Sequence, residues 1–311
     1  MLFQKPASLR PSSAKLWPFT ARFIAAEDRL ARSFESKGPW MAGLYEFLRF
    51  GIKQGWACLF GGLMVALLIA TKLWYPAGSP LERYDFLFIA AILIQASLIA
   101  TRLETLEEAK VILLFHAVGT AMEIFKTSVG SWAYPEASLL RIGAAPLFAG
   151  FMYAAVGSYL ARVWRLFDFR FTHHPPVWTT ILLSVGIYIN FFTHHYITDV
   201  RLVLFALTAL LFGRTVVYFK VWRQHRRMPL LLGFLLVSLF IWFAENIGTV
   251  TGAWLYPHQM KEWSMVPLTK LGAWFLLMII SYVMIAALNR PEPYVQEKKA
   301  PSAVIPAPAQ A

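Results

Sequence analysis

Cysteine is almost absent from these 311 residues. Cys58 stands alone, so neither a disulfide framework nor a thiolate metal site can form within one chain. Charge is scarce as well, 15% of residues against 58% hydrophobic, and the mean hydropathy is +0.54. That balance excludes an ordinary soluble globular domain. Acids are fewer than bases, 17 against 29. There is no phosphate-cradling glycine loop, no nucleophile elbow and no H-E-x-x-H pair. The opening MLFQKPASLRPSSAK has no short apolar core of the kind a cleaved leader carries, so the first long apolar run is expected to act as an uncleaved insertion signal.

Long apolar runs, by contrast, are abundant. Eight of them approach the ~20 residues a helix needs to cross a bilayer: 56–75, 84–101, 110–130, 145–163, 177–194, 201–219, 229–251 and 267–288. None alternates as a membrane β-strand would. The expected fold is all-α: a polytopic membrane helical bundle of about eight transmembrane helices. Residues 1–38 read as a polar cytoplasmic extension in which Phe23, Ile24, Leu30 and Phe34 could line one face of a surface helix. Residues 39–290 read as the membrane domain, with YEFLRFGIKQGW (45–56) as its interfacial lead-in. Residues 291–311, rich in Pro, Ala and Lys, read as a disordered tail.

The net charge of +12 would suit nucleic acid, but its placement points elsewhere. Segments on one side of the predicted spans hold 21 of the 29 Lys and Arg, and the opposite loops hold 5. This is the positive-inside bias with both termini cytoplasmic, and juxtamembrane bases also meet anionic headgroups. The lipid bilayer is therefore the expected partner, with no nucleic acid. The chain also lacks endoplasmic-reticulum and peroxisome tails, so a bacterial inner membrane is the expected location.

One pattern recurs. EIFKTSVGSWAYP (Glu123–Pro135) and ENIGTVTGAWLYP (Glu245–Pro257) share E-x3-T-x2-G-x-W-x-Y-P at an offset of 122 residues. The copies close the third and seventh runs, so the repeat unit is four helices, about 56–163 and 177–288. An even number of crossings gives both copies one orientation, a parallel repeat. Each glutamate lies seven residues before its glycine, about 10 Å inside the helix end. His116, Gly119, Thr120, Glu123, Thr127 and Gly130 share a stripe, as do Ser238, Trp242, Glu245, Thr249 and Gly252. Small and polar residues along one stripe mark a helix–helix seam.

An intramembrane acid is expensive and usually functional. Glu123, Glu245, Lys126 and His116 are the catalytic candidates. Lys126, three residues after Glu123, is expected to hold it ionised, whereas Gly248 stands at the matching place in the second copy. Glu245 is then the expected proton donor and Glu123 its anionic partner. Trp132, Tyr134, Trp254, Tyr256, Asn246, Thr127 and Thr249 are candidates for contact with a lipophilic small molecule, the two Trp–Tyr pairs also suiting an aromatic belt. Packing by the same residues is the competing reading. His194, His195 and Asp199 cluster beyond the fifth run but are too few for a zinc site, so neither metal nor cofactor is expected. His173 and His174 are expected to meet water or headgroups, and Lys72 and Arg214 to snorkel.

The segments HAVGTAMEIFKTSVGSWAYPE (116–136) and LRFGIKQGWACLFGGLM (48–64) resemble the YoaT-like family of bacterial integral membrane proteins. The resemblance covers about residues 40–290 and implies bacterial origin and a polytopic membrane fold, with no catalytic assignment. A fainter similarity, carried by the span-embedded Glu followed by Gly and aromatics, is to membrane-embedded carotenoid cyclases and hydratases. Acid–base chemistry on an isoprenoid-like substrate is one expectation. Proton-coupled transport of a small molecule and a structural or assembly role are the alternatives.

Overall fold

Each of the eight apolar runs carries one α-helix in the computed structural model, which describes residues 33, 34, 36 and 38–295. A further helix, α1 (Pro39–Ala57), covers the lead-in. It is followed by α2 (Leu59–Trp74), α3 (Arg83–Ala100), α4 (Leu106–Ser128), α5 (Phe148–Phe167), α6 (Val177–Thr193), α7 (Arg201–Phe212), α8 (Leu230–Val250) and α9 (Thr269–Asn289). The chain divides into two compact units, residues 1–53 and 54–311. In the first, Phe34 packs on Tyr45 and α1 exposes Trp40, Phe47 and Ile52. The surface-helix reading at Phe23, Ile24 and Leu30 lies outside the described residues, as does 296–311 of the tail.

Among the described residues four helices, α3, α4, α8 and α9, are long and apolar enough to cross a membrane, or five crossings if α1 and α2 form one broken span. The others show what shortens a span. α5 carries Arg162 and Arg165 in its last turns. α6 has 17 residues and α7 only 12, a rise of about 18 Å for α7 against a hydrocarbon core of about 30 Å.

The sixth run was expected to be helical to residue 219, and here the structure differs. The helix ends at Phe212. Beyond Gly213, the β-branched and aromatic stretch Val216–Lys220 forms β4, and His225–Pro229 returns as β5. The short strands β1 (Arg141–Ile142) and β2 (Ala145–Pro146) pair as a hairpin between α4 and α5. With β3 (Arg170–Thr172) the strands β4 and β5 make an antiparallel sheet in the order β3-β4-β5. Val, Tyr and Phe fit a pleated surface when paired strands are within reach, and periodicity alone could not supply those strands. The start of the tail joins the sheet too. Phe171 N–H donates to Glu292 O, Tyr294 N–H donates to Phe171 O, and Tyr294 stacks on Tyr218 at 3.8 Å. Residues 291–295 are therefore held, not loose. His174, expected in water, bonds Tyr282 at 2.9 Å among the rings of Phe171 and Phe212.

The loops fall into two groups. Those after α5, α7 and α9 meet in the sheet. Those after α2, α4, α6 and α8 meet one another at the opposite helix ends, through Arg83–Glu136, Lys126–His195 and the backbone of Ala133 and Leu255. Consecutive helices from α2 to α9 therefore run antiparallel. The end that holds the α3–α4 loop contains a pairing the sequence concealed. Arg162, counted among the surface charges, is fully buried against Glu104 at 3.3 Å, and Ser158 donates to the same carboxylate.

The α4–α5 seam has the closest packing. α4 starts at a capping box, in which Thr105 Oγ1 accepts from Glu108 N–H while Glu108 accepts from Thr105 N–H. Its predicted stripe then meets glycines. A Cβ on Gly119 would lie 2.6 Å from Tyr153, and one on Gly157 would lie 2.6 Å from Phe115. Gly150 abuts His116 and Thr120. Small residues let these backbones approach, as in membrane helix pairs generally.

Candidate functional site

The duplicated motif folds the same way twice. Gly130 and Gly252, at φ +69° and +68°, end α4 and α8 in the left-handed conformation that glycine adopts without a Cβ penalty. Ser131 N–H donates to Lys126 O and Gly130 N–H to Thr127 O. Ala253 and Gly252 repeat both bonds, to Gly248 and Thr249. These are Schellman turns, and each reverses the chain so that the Trp and Tyr beyond it reach back to the glutamate. Trp132 Nε1 and Tyr134 OH donate to Glu123 Oε2 at 2.8 and 2.6 Å. Trp254 Nε1 and Tyr256 OH donate to Glu245 Oε1 at 2.9 and 2.7 Å. Ala133 and Leu255, the residues between Trp and Tyr, exchange two backbone bonds of 2.9 Å and join the copies. Both carboxyls are buried, at 4% and 6% exposure, so a buried acid is matched by donors in each case.

The copies differ in their surroundings. Glu123 takes a third donor, Tyr153 OH of α5, at 2.9 Å. Lys126 does not pair with it, contrary to expectation. The ammonium turns outward to His195 Nε2 at 2.9 Å and lies 4.1 Å from the Phe191 ring centre. On a helix, a spacing of three allows a pair but does not fix which way a lysine extends, and α6 with its following turn offers the better acceptor. In the second copy, the Trp254 ring lies where a Gly248 Cβ would be. Gly248 is thus a packing requirement. Trp132 makes an edge contact with Tyr256 at 6.1 Å, linking one glutamate's donor to the other's.

Other predicted residues are placed plainly. Thr127 Oγ1 returns to Glu123 O at 2.7 Å, and Thr249 Oγ1 accepts from Trp263 at 3.1 Å. Asn246 bridges Trp242 O and Val266 N–H, tying the α8–α9 loop to its helix. His116 packs on Phe151 at 4.3 Å and lines no part of the cavity described next. Thr127, Thr249, Asn246 and His116 are not among the residues that line that cavity. Trp254 and Tyr134 belong to the buried cluster around Tyr84 and Phe148. The α4–α5 loop is anchored by residues the motif did not reveal. Asp85 accepts from Ser138 Oγ and from Leu139 and Leu140 N–H at 2.7–2.8 Å, and Arg83 pairs with Glu136 at 2.5 Å.

Beside the first copy lies a cavity of about 430 Å³. Trp132, Tyr153, Tyr256, Phe191 and Trp274 give it aromatic walls, Lys126, Lys270 and Arg201 give it positive charge, and His195 lines it as well. Lys270 Nζ sits 4.4 Å from the Tyr256 ring centre. Burial, then the neighbouring charges of Lys126, His194 and Lys270, push His195 below the ordinary histidine value, which keeps its ring neutral and able to accept from Lys126. Burial would raise Asp199. Bonds from Asn190 and Arg201, with the Arg201 charge, outweigh it and hold this carboxyl below the usual range. Burial and then Glu123 push the Tyr134 hydroxyl well above the ordinary value, and burial and then Glu245 do so for Tyr256, so both remain donors. Among the described residues no three His, Cys, Asp or Glu side chains are gathered as metal ligands. Sequence reasoning missed Tyr153, Lys270 and Arg201 because they come from three other helices. Only their place near predicted span ends could have marked the two bases.

Comparison with known proteins adds lineage. The family described as "Protein of unknown function (DUF817)" matches residues 46–282. The uncharacterized protein YoaT of Bacillus subtilis (strain 168) is 42% identical over 250 residues, covering 80% of this chain and 94% of that protein. The resemblance read from 116–136 and 48–64 is borne out by that identity. No solved structure matches.

Proposed function

The chain belongs to the DUF817 family, and we propose that it is a multi-pass protein of the bacterial inner membrane that performs acid–base chemistry on a lipid-soluble, isoprenoid-like small molecule. In this reading α2 to α9 cross eight times as two parallel four-helix repeats, with both termini cytoplasmic and the two motif turns on the outer side. The short α7 is accommodated by loops that dip below the headgroups where protein covers them. One observation carries the chemistry: Tyr153 and Tyr256, each donating to a buried glutamate, also wall the cavity. A proton held on either carboxyl is then one hydroxyl away from a bound molecule. A positioned acid of this kind can protonate an alkene, and the surrounding aromatic faces can stabilise the cation that follows.

The test is Glu123→Gln and Glu245→Gln in a deletion strain, with an untargeted lipid profile beside expression level and melting in detergent. Gln keeps size and hydrogen bonding but carries no exchangeable carboxyl proton. The expected outcome is a changed isoprenoid or pigment profile on deletion, restored by the parent chain and by neither variant, with folding intact. Altered solute uptake with an unchanged lipid profile would favour proton-coupled transport instead. Full complementation by both Gln variants would leave the duplicated motif as a packing device.

A further inference from the structure

We infer that the cavity beside the first motif binds an amphipathic anion: a phosphate or carboxylate head held by Lys126, Lys270 and Arg201, with its apolar body against Phe191, Trp274 and Leu277. The inference rests on this cavity being the substrate site of the preceding section and names the class of molecule that enters it.

Lys126 and Lys270 carry charge with no counterion in salt-bridge contact; Asp199 and Glu245 act on them only at longer range. Lys126 is 3% exposed, and among the described residues its only polar partner is the Nε2 of His195, which leaves ammonium hydrogens for another acceptor. Among the described residues neither Lys126 nor Lys270 forms a salt bridge. Arg201 does, to Asp199 at 2.7 Å, but that carboxylate also accepts from Asn190 and from Arg201 N–H, so its oxygens are already engaged by the loop. A buried cation without a paired anion is costly and is retained where something compensates it. Both glutamates sit behind the aromatic wall, bonded to Trp and Tyr donors, and do not line the cavity.

Helix geometry adds an independent argument. Arg201 is the first residue of α7 and Lys270 the second of α9. Helix N-termini already carry partial positive charge, where acids are favoured and bases are not. Two bases at two N-termini around one cavity concentrate positive potential, the arrangement that recruits an anion. Most of the rest of the lining is apolar or aromatic, with Ile187, Ala273 and Leu276 beside the residues above. Ser131, Asn190, His194 and Thr269 are its polar members, and a volume of about 430 Å³ suits a head and part of a tail. An inorganic ion would leave that apolar surface uncovered.

Because Trp132 and Trp274 line the cavity, tryptophan fluorescence of the full chain in a neutral detergent reads occupancy directly. The probes are dodecyl phosphate, lauric acid and inorganic phosphate, titrated below the micellar range and checked by calorimetry. Dodecyl phosphate or lauric acid should bind at least tenfold more tightly than inorganic phosphate. Lys126→Met and Lys270→Met should each weaken that binding about tenfold, whereas Lys110→Met, on the exposed start of α4, should leave it unchanged. Lys126→Arg and Lys270→Arg, which keep the charge, should retain most of it if either Met variant folds poorly. Equal affinity for inorganic phosphate would overturn the amphipathic assignment. Absence of binding by all three probes, or binding indifferent to both lysines, would overturn the site. The Gln variants separate this inference from the acid–base reading. Anion binding with full complementation by Glu123→Gln and Glu245→Gln retains the site and removes the chemistry. Loss of complementation without anion binding does the reverse.

Discussion

At Gly248 and Lys126, equivalent positions in the duplicated motif, the surroundings of the two copies diverge. Gly248 makes room for the Trp254 ring, and Lys126 projects its charge into the space beside the first copy. Gly248→Ala should therefore push Trp254 off Glu245. Overpacking of a tight contact costs about 1–3 kcal/mol, and melting in detergent should drop accordingly, while Gly55→Ala, where a Cβ meets open space, should not move it. A melting temperature unchanged by Gly248→Ala would show that the ring can relax without loss. The motif's offsets were legible in the sequence because Trp and Tyr recur at fixed distances from Glu. The direction of Lys126 was not, since it depends on an imidazole 69 residues away. Asp199 gives a second residue-scale outcome. Its folded-state value is depressed, so its bonds to Asn190 and Arg201 hold at neutral pH. They are released as pH falls below the ordinary carboxylate range and through the folded-state value. Amide exchange at residues 199–204 should accelerate on that acid limb in the parent and be fast at every pH in Asp199→Asn. A flat profile in the parent would exclude the carboxylate as the anchor.

At the element scale the α4–α5 seam joins packing to chemistry. Gly119 lies beneath Tyr153, and Tyr153 lies across it to reach Glu123. Gly119→Ala should tilt that ring and lose the third donor to Glu123. An interhelical bond in a membrane is worth about 0.6–2 kcal/mol, so the expected result is a modest melting loss joined to a large functional one. Tyr153→Phe, which keeps the ring and removes the hydroxyl, should share the functional loss with less destabilisation. Wild-type behaviour of both would detach α5 from the site. The stripe from His116 to Gly130 announced this seam from periodicity alone, because small and polar residues cannot gather by chance on a lipid-facing surface without cost. The strands left no comparable signal. β4 sits in a run whose hydrophobicity matches its helix neighbour, and its partners β3 and β5 are drawn from separate loops. An apolar stretch of five residues does not distinguish strand from buried helix until its partners are known.

For the whole molecule, charge asymmetry and loop grouping are independent observations that agree. The loops poor in Lys and Arg are the ones that meet around the motif turns, and the basic segments after α5, α7 and α9 meet in the sheet. Eight alternating crossings would place those two ends on opposite faces of the membrane. Only Cys58 must be removed to test this, since it is exposed and would react. In a Cys58→Ser background, single cysteines at Ala137 and His258 report the motif end, and one at Gln224 reports the β4–β5 turn. Ala137 is preferable to its neighbour Ser138, whose hydroxyl is bonded to Asp85. An impermeant maleimide added to intact spheroplasts should label the Ala137→Cys and His258→Cys chains at once, and the Gln224→Cys chain only after lysis. The asymmetry matters for the site as well as the topology. The cavity, with its lysines, lies at the motif end, so an amphipathic ligand would reach it from the outer leaflet. Labelling of Gln224→Cys before lysis, with protection of the other two, would invert the protein and require entry from the cytoplasmic leaflet. Labelling of all three before lysis would exclude an odd number of crossings between the two ends and withdraw the parallel repeat.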